Sequence, residues 1–166
     1  MADRLYLFDA NAIIEAVRVG VWNALTGALE LHTVATCAAE CRQGDRFSSG
    51  YVVVDAASLA RISSVHSVAD TDVASVLLMD RAEALDSGEL ELFAHAMTLS
   101  VDDAWVICSP DLASVKFAVT SGVGDHLISL EEAMDTAGAK PKVQLRSHFT
   151  STWLSTERTK VMLGIR

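Results

Sequence analysis

Four carboxylates stand where chemistry is easiest to place. Asp9 closes the apolar run LYLF (residues 5–8), Glu40 lies in ATCAAECRQ, Glu89 opens ELELFAHAM, and Asp111 follows WVICSP. Gathered into one place, carboxylates repel each other and shift toward protonation unless a divalent cation neutralises them. Mg²⁺ and Mn²⁺ favour oxygen ligands and keep waters that phosphate oxygens can replace, so the chemistry such a group suggests is phosphoryl chemistry.

Each acid taken singly has a simpler use. Asp9 or Asn11 can cap a following helix, and Ser109, Pro110 and Asp111 form a helix-start series in which an acid favours the dipole. Glu40 falls at the border of an apolar helical face made by Val34, Cys37, Ala38 and Cys41. Glu89 is the most informative of the four. At helical spacing it lies at the centre of the arc of Leu92, Phe93, Ala96 and Met97, whereas Glu91 and His95 turn toward water. An inward carboxylate needs compensation, from a capping-box pairing with Asp86 or from a cation shared with other acids.

The elements that must position these residues follow from hydrophobic pattern. LYLF is apolar on both faces, as in a central parallel strand, and puts Asp9 at the carboxyl end, where open parallel sheets bind ligands. A helical stretch (12–25), a strand at 29–34 and the helix carrying Glu40, ended by Gly44, come next. YVVVD (51–55) reads as a further strand at an edge, and residues 56–84 as helical in parts. Beyond them come the helix with Glu89, the strand WVIC (105–108), the helix LASVKFAVTSG and the strand HLISL (126–130). Alternation of strand and helix implies an α/β class with a parallel, doubly wound sheet.

Composition bounds the function. With 166 residues, 51% of them hydrophobic, the chain suffices for one core. No apolar run is long enough to span a membrane and the start lacks a signal peptide's apolar segment, so a cytoplasmic protein without a membrane partner is expected. Cys37, Cys41 and Cys108 are an odd set suited to a reducing compartment. With His32 nearby, the first two invite a metal reading, but no fourth ligand or CxxC is present, and small core residues are expected. Net charge is −9, distributed as 7 Lys/Arg against 21 Asp/Glu in residues 1–137 and 6 against 1 in residues 138–166. The expected organisation is a body of 1–137 and a basic tail of 138–166 docked through Phe149, Trp153 and Leu154. An acidic body repels phosphate backbones unless cations or a local basic patch reverse the field.

The segments LFDANAII, TVATCAAECRQG, LDSGELELFAHA and VICSPDLASVKFA, in that order and over residues 5 to 131, resemble a PIN domain. The resemblance implies a three-layer α/β/α sandwich around a central parallel sheet of about five strands. It also implies a metal-dependent endoribonuclease, in many small members the toxin of a toxin–antitoxin pair. Carried over, Asp9, Glu40, Glu89 and Asp111 are the catalytic and metal-holding acids, with Asn11 and Ser109 as auxiliary polar groups. One or two Mg²⁺ or Mn²⁺ ions, an RNA substrate, an antitoxin partner and a homodimer are the corresponding expectations. Arg18, Arg42, Arg46 and Lys116 are the candidate phosphate contacts near the acids, joined by Arg146, Arg158 and Lys160 of the tail. The chain departs from the commonest pattern in having glutamate at the third position and in placing Asp111 two residues after Ser109.

Two other classes compete. A catalytically silent PIN-like module, binding a protein or RNA, would use the acids as caps. A metal-dependent phosphatase or phospho-acceptor ranks last: Asn11 stands where a haloacid-dehalogenase type needs its second aspartate, and a receiver's paired early acids and late lysine are missing.

Overall fold

The computed structural model describes residues 4–43, 52–100 and 102–165. Its centre is a five-stranded, all-parallel sheet in the order β3-β2-β1-β4-β5, with β1 Leu5–Phe8, β2 Glu30–Val34, β3 Ser64–His66, β4 Trp105–Cys108 and β5 Leu127–Ile128. The fold is thus α/β, with helices flanking the sheet in a three-layer α/β/α arrangement. The central strands are apolar on both faces because helices cover both: Leu7, Phe8, Leu31 and Ile107 are fully buried. Each such side chain contributes about 1.5–3 kcal/mol relative to exposure.

The chain leaves β1 directly into α1 (Ala10–Arg18), whose Ala12, Ile13 and Ala16 face the core. The continuous helix expected over 12–25 is broken: Gly20 takes φ +81°, α1 stops, and α2 (Trp22–Ala28) starts in a new direction. A side chain at Gly20 would also strike the Lys142 methylenes, its Cβ falling 2.8 Å from Cδ. Here the backbone turn and the return of the tail require glycine.

After β2, α3 (Ala35–Gln43) follows without a loop. The strand expected at YVVVD is not formed at 52–55: Asp55 caps a short helix α4 (Ala56–Leu59), accepting from the Ser58 amide at 2.8 Å. The edge strand comes later, as β3, in the stretch read only as partly helical. It pairs in register with β2, Thr33 opposite Val65. Residue 51, like Gly44 and the candidate contact Arg46, lies outside the described residues. α5 (Asp70–Leu77) and a single 3-10 turn lead to α6 (Ser87–Met97), which packs on α5, α3 and the β1–β2 part of the sheet.

On the other side of β1, α7 (Leu112–Thr120) follows β4, and α8 (Leu130–Ala137) follows β5. The strand expected at 126–130 is shorter, because a 3-10 turn ends at His126 and Ser129 already caps α8 through a capping box with Glu132. The tail forms α9 (Ser151–Met162), which lies on α7 and α8. Phe149 and Leu154 are buried and Trp153 is half-buried. Among the described residues, no helix is long and apolar enough to cross a membrane.

Candidate functional site

In the strand order 3-2-1-4-5 the sheet reverses between β1 and β4, and the crevice at the carboxyl ends of those two strands is the topological switch point. Phe8 pairs with Cys108, and the Asp9 amide donates to the Cys108 carbonyl at 3.0 Å. Asp9 and the segment Ser109–Asp111 therefore leave the sheet side by side.

Asp9 is 2% exposed. One of its oxygens accepts a long 3.4 Å bond from the Asn11 amide, capping α1, and the other faces the Cys37 thiol at 3.8 Å. Burial, reinforced by the charge on Asp86, raises its carboxyl to about 7 despite the two amides that favour ionisation. Glu89, also 2% exposed, is raised to about 8, chiefly by burial, with Asp111, Asp86 and Asp9 adding repulsion against a lowering hydrogen bond from the Asp86 amide. Glu40 is half-buried and shifts upward through burial, then Asp86 and Glu91.

Gly88 lies beside Glu40. A Cβ there would stand 3.1 Å from one Glu40 oxygen and 3.0 Å from the Cys37 sulfur, tight enough that both neighbours would have to shift by a few tenths of an ångström. Asp111 caps α7 with one oxygen, 2.8 Å from the Ala113 amide, and remains half-exposed. Of the four acids expected from sequence, Asp9 lies near enough to Glu40, and Glu89 near enough to Asp9 and Asp111, for their charges to repel. As the side chains stand, no group of three or more His, Cys, Asp or Glu among the described residues is arranged to hold a metal ion. All the acid donors are hard oxygens, the set that Mg²⁺ and Mn²⁺ accept while retaining water.

Asp86 joins them as a fifth acid. Its capping-box spacing to Glu89 is legible in sequence, but its exposed carboxylate also lies near enough to raise Asp9, Glu40 and Glu89. The auxiliary residues stand differently. Asn11 is exposed at the start of α1, whereas Ser109 is buried and bonds the Ser114 hydroxyl at 3.0 Å. Ser109 also lines a cavity of about 10 Å³, the size of one water, closed by His148, Phe149 and Trp153 of the tail.

The expectation that Glu91 and His95 face water is wrong. Glu91 is half-buried and accepts from the Thr36 amide at 3.3 Å, and the His95 ring stacks on His66 with centroids 3.9 Å apart. Helix α6 is covered on this flank as well, because α3 and the β2–β3 edge wrap round it.

Of the basic residues, Arg18 is committed to structure. It bonds both oxygens of fully buried Glu15, at 2.5 and 2.9 Å, and the Gln144 carbonyl at 3.0 Å. Burial alone pushes the Glu15 carboxyl up; the Arg18 bond and the Arg146 amide more than offset it, leaving it below the usual range. This pair was missed in sequence, although Glu15 sits among the buried residues of α1 with Arg18 three positions on. Arg42 ends α3 exposed, and Lys116 is half-buried on α7. In the tail, Arg158 donates to the carbonyls of Gly124 and Leu127, Lys160 pairs with Glu157, and Arg146 stands 3.9 Å from Glu15.

Comparison of the chain with protein-family models, with curated proteins and with solved structures returns no match in any of the three.

Proposed function

We propose that the protein is a metal-dependent endoribonuclease of PIN type, hydrolysing RNA phosphodiester bonds with Mg²⁺ or Mn²⁺, in the cytoplasm and as the toxin of a toxin–antitoxin pair. The observation that carries this reading is a run of repelling carboxylates near the switch point, Asp9 with Glu40 and Glu89 with Asp9 and Asp111, where burial first and repulsion second raise the Asp9 and Glu89 carboxyls to about 7 and 8. Such repulsion is relieved by a cation, and a hard one suits oxygen donors. An antitoxin and a second copy of the chain are partners the same resemblance suggests.

In this reading Asp9, Glu40, Glu89 and Asp111 hold one or two ions. When bound, the ion lowers the pKa of a water for in-line attack and stabilises charge on the phosphate oxygens. The residues themselves supply position. The rigid carboxyl ends of β1 and β4 fix Asp9 and Asp111, Gly88 admits Glu40, and the box with Asp86 holds the backbone beneath Glu89. The acidic surface is countered locally by the bound charge, with Arg42 and Lys116 as candidates for phosphate contact.

A silent binding module has one observation in its favour: Asp9 and Asp111 are N-caps and Glu89 belongs to a capping box. Caps do not account for Glu40, which lies in the last turns of α3 with its carboxylate beside the first turn of α6 at Gly88. The deciding experiment is incubation of single-stranded RNA with purified protein and Mn²⁺. Wild-type protein is expected to cleave, and Asp9→Asn and Glu89→Gln to lose at least about a hundredfold, given the several kcal/mol an ion supplies to such a transition state. Equal cleavage by all three removes the enzymatic reading.

A further inference from the structure

The basic tail returns along α1 toward the acids. The Lys142 amide donates to the Val19 carbonyl at 2.8 Å, the Gln144 carbonyl accepts from Arg18 at 3.0 Å, and the Arg146 amide donates to Glu15 at 2.9 Å. The strap thus climbs α1 backwards, from its C-terminal cap to its middle, and α1 begins just after Asp9. Two residues beyond Arg146 comes His148. With Phe149 and Trp153 it lines one small cavity together with Ser109 and Pro110, the segment between β4 and Asp111. Burial draws the His148 imidazole below its ordinary range, and the charges that act on it next are those of Glu15, Arg146 and Asp111, so the ring stands at the edge of the acid cluster.

Phe149 is the buried anchor of this contact, at 3% exposure. His148 and Trp153 are only half-buried, with ring centroids 6.4 Å apart and planes at 74°. Trp22 and Trp105 are 3% and 6% exposed, so Trp153 is the one indole of three that keeps open surface. It does so in a stretch rich in cations: the tail carries 6 Lys/Arg against 1 acid, and Lys140, Lys142 and Arg146 are exposed. Open aromatic faces among exposed cations suit single-stranded nucleic acid, the cations tracking phosphates and the rings stacking bases of any sequence. A duplex keeps its bases stacked on one another and offers no such face. We propose that Trp153 and His148 form a base-stacking platform beside Asp111, which holds an unpaired nucleotide of single-stranded RNA next to the acid cluster.

That the ligand is RNA rests on the nuclease reading, and the test separates the platform from cleavage. Full-length Asp9→Asn protein is titrated with a short oligoadenylate and with an abasic oligomer of the same length, and tryptophan fluorescence is followed. Stacking on Trp153 should quench the indole, and the oligoadenylate should bind about 5–100-fold more tightly than the abasic chain, the range that stacking a base on an aromatic ring gives. Trp153→Leu should lose both the quenching and the preference, Trp153→Phe should keep most of the preference, and His148→Ala should reduce it. Added salt should weaken both oligomers alike. Equal affinity for the two oligomers, absence of quenching, or a folded Trp153→Leu that retains the preference overturns the proposal. The comparison of oligomers needs no substitution in the tail, so it decides the matter even if Trp153→Leu does not fold. RNA cleavage by the wild type without base preference in binding removes the platform alone, whereas base preference without cleavage removes the nuclease reading and leaves the platform.

Discussion

The Glu89 carboxylate accepts from the Asp86 amide at 3.0 Å while the Asp86 carboxylate accepts from the Glu89 amide at 2.8 Å. One side chain therefore closes the start of α6 and stands, buried, near three other acids, Asp111, Asp86 and Asp9. The two roles separate by substitution. Glu89→Gln keeps a group that can complete the box, so its thermal stability at pH 8 should match or exceed that of the wild type. Glu89→Ala loses the box and should cost about 0.5–2 kcal/mol in urea unfolding. A Glu89→Gln protein as unstable as Glu89→Ala would show that the charge itself stabilises the helix.

The pH dependence of the metal-free protein carries a definite sign. Asp9 titrates at about 7 against an ordinary 3.8, and Glu89 at about 8 against 4.5. Between those limits the native state holds more protons than the unfolded chain, so their contribution is complete below pH ~4 and is lost as pH rises through 7 to 8. In chelator, unfolding followed by circular dichroism should therefore show stability falling from pH 5 to pH 8. Asp9→Asn keeps an equally good cap and should fall less steeply. Parallel profiles for the two proteins would contradict the shift assigned to Asp9.

Glu91 is expected to matter, contrary to its place on the helical wheel. Its bond to the Thr36 amide ties α6 to the first turn of the helix that carries Glu40. Glu91→Ala should destabilise by about 1 kcal/mol, whereas Glu91→Gln, which can still accept, should lose less. Differential scanning calorimetry of the two variants measures this; equal and negligible losses would return Glu91 to the solvent.

Arg18 holds two parts of the chain at once. Removing it leaves buried Glu15 with only the more distant Arg146, 3.9 Å away, and frees the Gln144 carbonyl. Arg18→Met should cost about 3 kcal/mol, as for a broken buried pair, and should raise amide exchange at Lys142 and Arg146, whose amides bind the Val19 carbonyl and Glu15. Unaltered exchange there would mean that the tail is held by Phe149 and Leu154 alone.

Much of this arrangement is legible in the residues. LYLF reads as a central strand and WVIC as a strand from their apolar pattern, and both are strands of the sheet, with Asp9 and Asp111 beyond their carboxyl ends. Glu89 could be found because a carboxylate at the centre of an apolar arc contradicts its surroundings. The misreadings share a cause. YVVVD has strand-like residues, but Asp55 caps a helix at once and the edge position goes to Ser64–His66. A helical wheel treats everything opposite the apolar arc as solvent, yet α6 is wedged between α5 and α3, so Glu91 and His95 meet protein. Gly20 lies inside the helix expected over 12–25, but its positive φ ends α1 and Lys142 of the tail lies on its flank. Long-range packing decides such cases, and the local pattern does not contain it.

Cation binding by the acid cluster is the claim on which the proposed activity stands, and thermal unfolding at pH 8 with and without millimolar Mn²⁺ tests it most directly. With the ion near 100-fold above its dissociation constant, the wild type should gain about 2.7 kcal/mol, a rise in Tm of about 5–10 °C, and Asp9→Asn little or none. An unmoved wild-type Tm, or an equal rise in Asp9→Asn, contradicts the account.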